Sequence, residues 1–113
     1  DDITEILKWH SEFRIRADAG QRGLEEDHLF HLAIARASGN PVCLALTSYF
    51  TPQIISLNAD YAESDPDRFR RTFAEHDAIV RSILAGDSDA SAEAMRSHME
   101  EAWKRRLPGR SPR

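Results

Sequence analysis

The feature that most constrains this chain is an apolar repeat at helical spacing that runs nearly from end to end and breaks only at glycine or proline. Ile3, Ile6, Leu7, His10, Phe13 and Ala17 share one helical face, and Gly20 and Gly23 end that pattern. Between Leu24 and Ser38 the repeat returns as Phe30, Ala33, Ile34 and Ala37. Glu25, Glu26 and Asp27 occupy its first turn, where carboxylates complement the helix dipole. Gly39 offers a left-handed cap, and Asn40-Pro41 then supplies an N-cap and a first-turn proline. A third helix is expected from Pro41 to about Phe50, ended or kinked near Thr51 by Pro52. Val42, Leu44 and Leu46 also alternate as a strand would, and the Asn-Pro start decides for helix.

Asp65-Pro66 repeats the start signal ahead of Phe69, Phe73, His76, Ile79, Val80, Ile83 and Leu84. That helix stops at Gly86, and Asp87 and Ser88 are cap candidates for a fifth. The fifth carries Met95, His98, Met99 and Ala102 on one stripe and is closed by Pro108. Five helices with short connections predict an all-α, antiparallel helical bundle.

A chain of 113 residues suits one domain. We expect a domain over 1–107 and a basic tail over 108–113. The basic residues around that junction, Lys104, Arg105, Arg106, Arg110 and Arg113, read as a solvated helix end that complements the dipole. The longest strictly apolar run, Val42 to Leu46, is far short of the ~20 residues a membrane-spanning helix needs. No signal peptide pattern precedes it. A net charge of -4 argues against a phosphate-gripping surface. Cys43 is the sole cysteine, so no internal disulfide can form and a reducing cytoplasm is the natural compartment. Its neighbours Val42 and Leu44 make it a candidate small core residue. A chain that lacks an initiator Met and opens directly on a helix start reads as processed or truncated.

Asp27 and His31, four apart on the second helix, leave the same face one turn apart and can chelate one ion. Alone, that pair reads as a surface hydrogen bond. His76 and His98 change the balance, because each lies on the apolar stripe of its own helix. Core-facing polar groups on three helices need a common partner, since burying each unpaired costs about 1–3 kcal/mol. One divalent cation held by Asp27, His31, His76 and His98 supplies it. Three imidazoles and a carboxylate suit zinc and also nickel, manganese, iron or cobalt, and the sequence does not choose among them. An octahedral ion would keep two positions for water or a bidentate hydroxy acid or dicarboxylate.

His28 points about 100° away from Asp27 around the helix, and His10 has no second ligand at chelating spacing. There is no phosphate loop, nucleophile elbow or Cys-His pairing, and Glu75 beside His76 is a poor general base. A non-enzymatic binding domain is therefore expected. The alternative is a small metalloenzyme acting on a hydroxy-acid-like substrate.

Asp27-His28-Leu29-Phe30-His31, Ala37-Ser38-Gly39-Asn40-Pro41, Glu75-His76-Asp77-Ala78-Ile79, Gly86-Asp87 and Met95-Arg96-Ser97-His98-Met99 follow in order along the chain. Together they resemble the FCD domain, the C-terminal effector domain of FadR-subfamily, GntR-type bacterial transcription regulators. The resemblance runs from about Asp1 to Ala102. It implies that Asp27, His31, His76 and His98 ligate a metal, often zinc or nickel, and that a small carboxylate metabolite binds at or beside it. It further implies a homodimer and an upstream winged helix-turn-helix that binds operator DNA. The family's bundle usually starts one helix earlier, with an arginine that reaches the pocket, and that helix is expected to be lacking here. On the third helix, Ser48 and Tyr49 are the remaining candidates for lining an effector pocket.

Overall fold

The computed structural model describes residues 1–21, 23–48 and 67–106, with the side chains of 68, 105 and 106 left aside. Within them lie α1 (Asp2–Asp18), α2 (Leu24–Ala37), α3 (41–48), α4 (Arg68–Leu84) and α5 (Ser88–Arg106). Every regular element among the described residues is an α-helix, as the apolar periodicity predicts. Asp65, Pro66, Pro52, Tyr49 and the tail over 108–113 lie outside the described residues.

The helix ends follow from side chains that satisfy otherwise orphaned backbone groups. Asp1 caps α1, its carboxylate accepting from the Thr4 amide at 2.8 Å. Asn40 Oδ1 accepts from the amides of Val42 and Cys43 at 3.0 and 3.2 Å, ahead of Pro41 in the first turn of α3. Between α4 and α5 only Ala85, Gly86 and Asp87 make the turn. Gly86 has φ +69, which an L side chain rarely adopts. Its amide donates to Ile83 O, and the Asp87 amide donates to Ser82 O, closing a Schellman motif. Asp87 Oδ1 then accepts from the Ala90 amide at 3.0 Å and starts α5. Connections this short between packed neighbours force a reversal of direction, so α4 and α5 run antiparallel.

Helix α1 packs against both α2 and α4, and α4 packs against α5. Two apolar clusters form where they meet. One joins Ile6, Phe30, Ala33 and Val80, flanked by Trp9, Ile34 and Ala37. The other joins Phe13, Ala17 and Phe69, flanked by Leu24 and Phe73. Gly23 permits the second. A Cβ there would lie 2.6 Å from two ring carbons of the fully buried Phe13, so only glycine lets the start of α2 approach α1 this closely.

Some expected faces turn out differently. Cys43 is exposed, together with Val42 (66 %) and Leu46 (52 %), whereas Leu44 is half-buried. Apolar neighbours in sequence do not define a helical face, because each step rotates a side chain by about 100°. Met99 and Leu84 are likewise exposed at the margins of their stripes, whereas His98 and Ala102 are buried. No helix among the described residues is long and apolar enough to cross a membrane.

Candidate metal centre

Asp27 and His31 come from successive turns of α2, His76 from the middle of α4 and His98 from α5. Each offers one potential ligand atom, and these four atoms all lie within 4.8 Å of one another. Asp27 Oδ1 is 3.2 Å from His31 Nε2 and 3.1 Å from His76 Nε2. His98 Nε2 is 3.2 Å from His31 Nε2. Two donors bound ~2.1 Å from one ion, at tetrahedral or octahedral angles, stand about 3.0–3.4 Å apart. Three contacts in the cluster have that spacing.

The rings are held by packing. His76 is fully buried, stacked on Phe30 at 4.3 Å between centroids and tilted against Phe13 at 5.0 Å. It therefore lies where the two apolar clusters meet. His98 is 3 % exposed, and its ring is parallel to that of His31. Asp27 and His31 close the more accessible side, being half-buried.

Although Asp27 Oδ1 and His76 Nε2 are close, the ring N–H direction does not align with the oxygen. Both atoms are buried without a directed hydrogen bond. We therefore regard their 3.1 Å contact as electrostatic. Buried polar atoms left in this state are costly. Their convergence with two further donors is what a bound cation resolves, so the cluster can hold a metal ion.

The protonation states agree with that use. Burial favours the neutral form of His76 and outweighs the pull of Asp27, with His31 and His98 acting in the same direction as burial, so its pKa falls to about 4. Burial pushes Asp27 upward, but the close polar contacts and charge of His31 and His76 prevail and hold it well below the ordinary 3.8. A neutral imidazole and an ionised carboxylate are the forms that bind metals.

The metal-free domain should lose stability on acidification. The unfolded chain takes up a proton on His76 near pH 6.5, whereas the folded chain resists until about pH 4. Stability from this group is therefore complete above pH 6.5 and is lost as pH falls from there toward 4. Between about pH 7.5 and about pH 5 the loss is on the order of 2 kcal/mol. Urea unfolding in the presence of chelator measures it, and a flat profile over that interval contradicts the burial of His76.

The remaining histidines stay outside the cluster. His10 Nε2 pairs with Asp77 Oδ1 at 3.1 Å, and its ring stacks on Phe73 at 4.6 Å. His28 is half-buried on α2, with Nδ1 unpartnered among the described residues. Ser48 is exposed at the end of the described part of α3. One contact at the edge of the cluster escaped the sequence reading. Glu75 Oε1 accepts from His98 Nδ1 at 2.7 Å, across the α4–α5 interface. No spacing in the sequence signals it, because it depends on how α5 is rotated against α4. The bond also occupies the carboxylate that a metallohydrolase would need as a base.

Comparison with known proteins identifies the family. The FCD domain model matches residues 1–101. The chain is 35% identical over 82 residues to a protein of Micromonospora viridifaciens named as the transcriptional regulatory protein NedR. That match covers 73% of this chain and 59% of the relative. It is 32% identical over 79 residues to an Escherichia coli protein named as an L-lactate dehydrogenase operon regulatory protein, covering 66% of this chain and 30% of that one. The chain thus spans less than two thirds of the length of these relatives. No solved structure matches it. A family model that spans most of the chain, on a helical fold, decides the classification: the chain belongs to the FCD domain family.

Proposed function

We propose that this chain is the effector-sensing domain of a GntR-type, FadR-subfamily transcription regulator, built around one divalent transition metal held by Asp27, His31, His76 and His98. The observation that carries the reading is the convergence of four ligand atoms within 4.8 Å, two of them buried without a directed hydrogen bond. Zinc is the first candidate for a set of three imidazoles and one carboxylate, and nickel, manganese, iron and cobalt are compatible with it.

A metal bound by these four residues would supply a positive centre that attracts a small carboxylate metabolite. The protein supplies the rest. Phe13 and Phe30 fix the plane of His76 and keep water from that side, and Asp27 contributes the single negative charge of the ligand set. Three helices contribute ligands, so an effector that alters coordination also biases the relative positions of α2, α4 and α5. Transmitted through a homodimer, that bias would alter operator binding by a winged helix-turn-helix domain elsewhere in the full protein. The regulatory names of the relatives support this reading.

Titration calorimetry with a panel of small carboxylates tests it. The panel begins with L-lactate, because one relative is named for an L-lactate dehydrogenase operon. At least one member should bind the zinc-loaded chain and return unaltered, with affinity at least tenfold weaker after chelation. Equal binding with and without metal contradicts the proposal.

A further inference from the structure

We infer that Glu75 is a positioning residue for the metal centre: by accepting the Nδ1 proton of His98 it fixes the tautomer that presents the Nε2 lone pair to Asp27, His31 and His76. This rests on the metal-centre reading above and extends it beyond the four ligands.

The four donors are not held alike. His76 is gripped by aromatic rings on both sides, stacked on Phe30 and tilted against Phe13. His31 shares α2 with Asp27, one turn away. His98 arrives on α5, a helix whose principal packing partner is α4. Its ring has two nitrogens, and a neutral imidazole can carry its proton on either one. With the proton on Nε2, the nitrogen nearest the cluster would be a donor and could not ligate.

Glu75 removes that ambiguity. Its Oε1 lies 2.7 Å from His98 Nδ1, a distance typical of a charge-assisted bond, and the two side chains are 20% and 4% exposed. An ionised carboxylate only accepts, so the proton must reside on Nδ1. Nε2, 3.2 Å from His31 Nε2, is then the free acceptor. Because Glu75 precedes His76 on α4 and is turned about 100° from it, one helix both donates a ligand and orients the ligand of its neighbour. Carboxylate support of this kind typically changes metal affinity by about 10- to 100-fold.

The test uses the full chain, Glu75→Ala and Glu75→Gln. Zinc affinity is measured by competition with a chromophoric chelator, and the His98 tautomer by ¹⁵N NMR on metal-free protein. Glu75→Ala should bind zinc about 10- to 100-fold more weakly and release His98 from the Nδ1-protonated form. Glu75→Gln, whose amide oxygen still accepts the Nδ1 proton, should retain the tautomer and recover part of the affinity. Circular dichroism checks that both variants remain helical.

If Glu75→Ala binds zinc within twofold of the parent and His98 remains Nδ1-protonated, the inference is overturned. If the parent chain binds no zinc, the metal-centre reading falls. The NMR comparison still decides whether Glu75 sets the tautomer, so the two failures are distinguishable.

Discussion

Chelating the metal is expected to lower the melting temperature of the purified chain by roughly 10–30 °C, while leaving that of a His76→Ala variant nearly unmoved. The cluster is assembled only in the folded chain, so a cation bound there stabilises the folded state alone. With free metal at 100 to 1,000 times its dissociation constant, the gain is about 2.7 to 4.1 kcal/mol. For a domain of roughly this size each kcal/mol moves the melting temperature by about 4–8 °C. Metal binding also engages Asp27 Oδ1 and His76 Nε2, which lack directed hydrogen bonds. Replacing His76 removes the most deeply buried of the four proposed ligands, so added zinc and added chelator should then have almost the same effect. Differential scanning calorimetry of both proteins, with zinc and with chelator, provides the comparison.

The second large effect is expected at Phe30, which serves the core and the centre together. It is fully buried, belongs to the cluster of Ile6, Ala33 and Val80, and stacks on His76 at 4.3 Å. Its ring also meets that of His31 edge-on at 5.5 Å. Phe30→Ala should destabilise the metal-free domain by about 3–5 kcal/mol, through lost burial and the cavity left behind. Phe30→Leu should retain much of that stability yet bind zinc more weakly, because the aliphatic side chain cannot hold the imidazole planes as the ring does. Urea unfolding and zinc titration of the two variants separate these roles. A Leu variant with unchanged zinc affinity would show that ring stacking does not organise the centre.

Much of the helical frame was legible because it is written in local chemistry. Gly86 and Asp87 end one helix and begin the next through hydrogen bonds that span no more than five residues. Asn40 and Pro41 do the same at the start of α3. His76 and His98 were recognisable as inward-facing because an imidazole at a core position stands out against Phe69, Phe73, Ile79 and Ala102. The exposure of Cys43 was missed because two apolar neighbours do not fix the direction of a helical side chain.

The contacts beyond the ligands were hidden for a different reason. The Glu75–His98 and His10–Asp77 pairs join residues 23 and 67 positions apart. They depend on helix rotation and axial offset, which periodicity leaves undetermined. Periodicity assigns a residue to a face, and only packing assigns it a partner.

The most direct measurement of the central claim is elemental analysis of the full chain beside His76→Ala and His98→Ala, each purified identically and shown by circular dichroism to be helical. The account predicts about one equivalent of a divalent transition metal per parent chain and a large loss in both variants. Unchanged stoichiometry in both variants would contradict it.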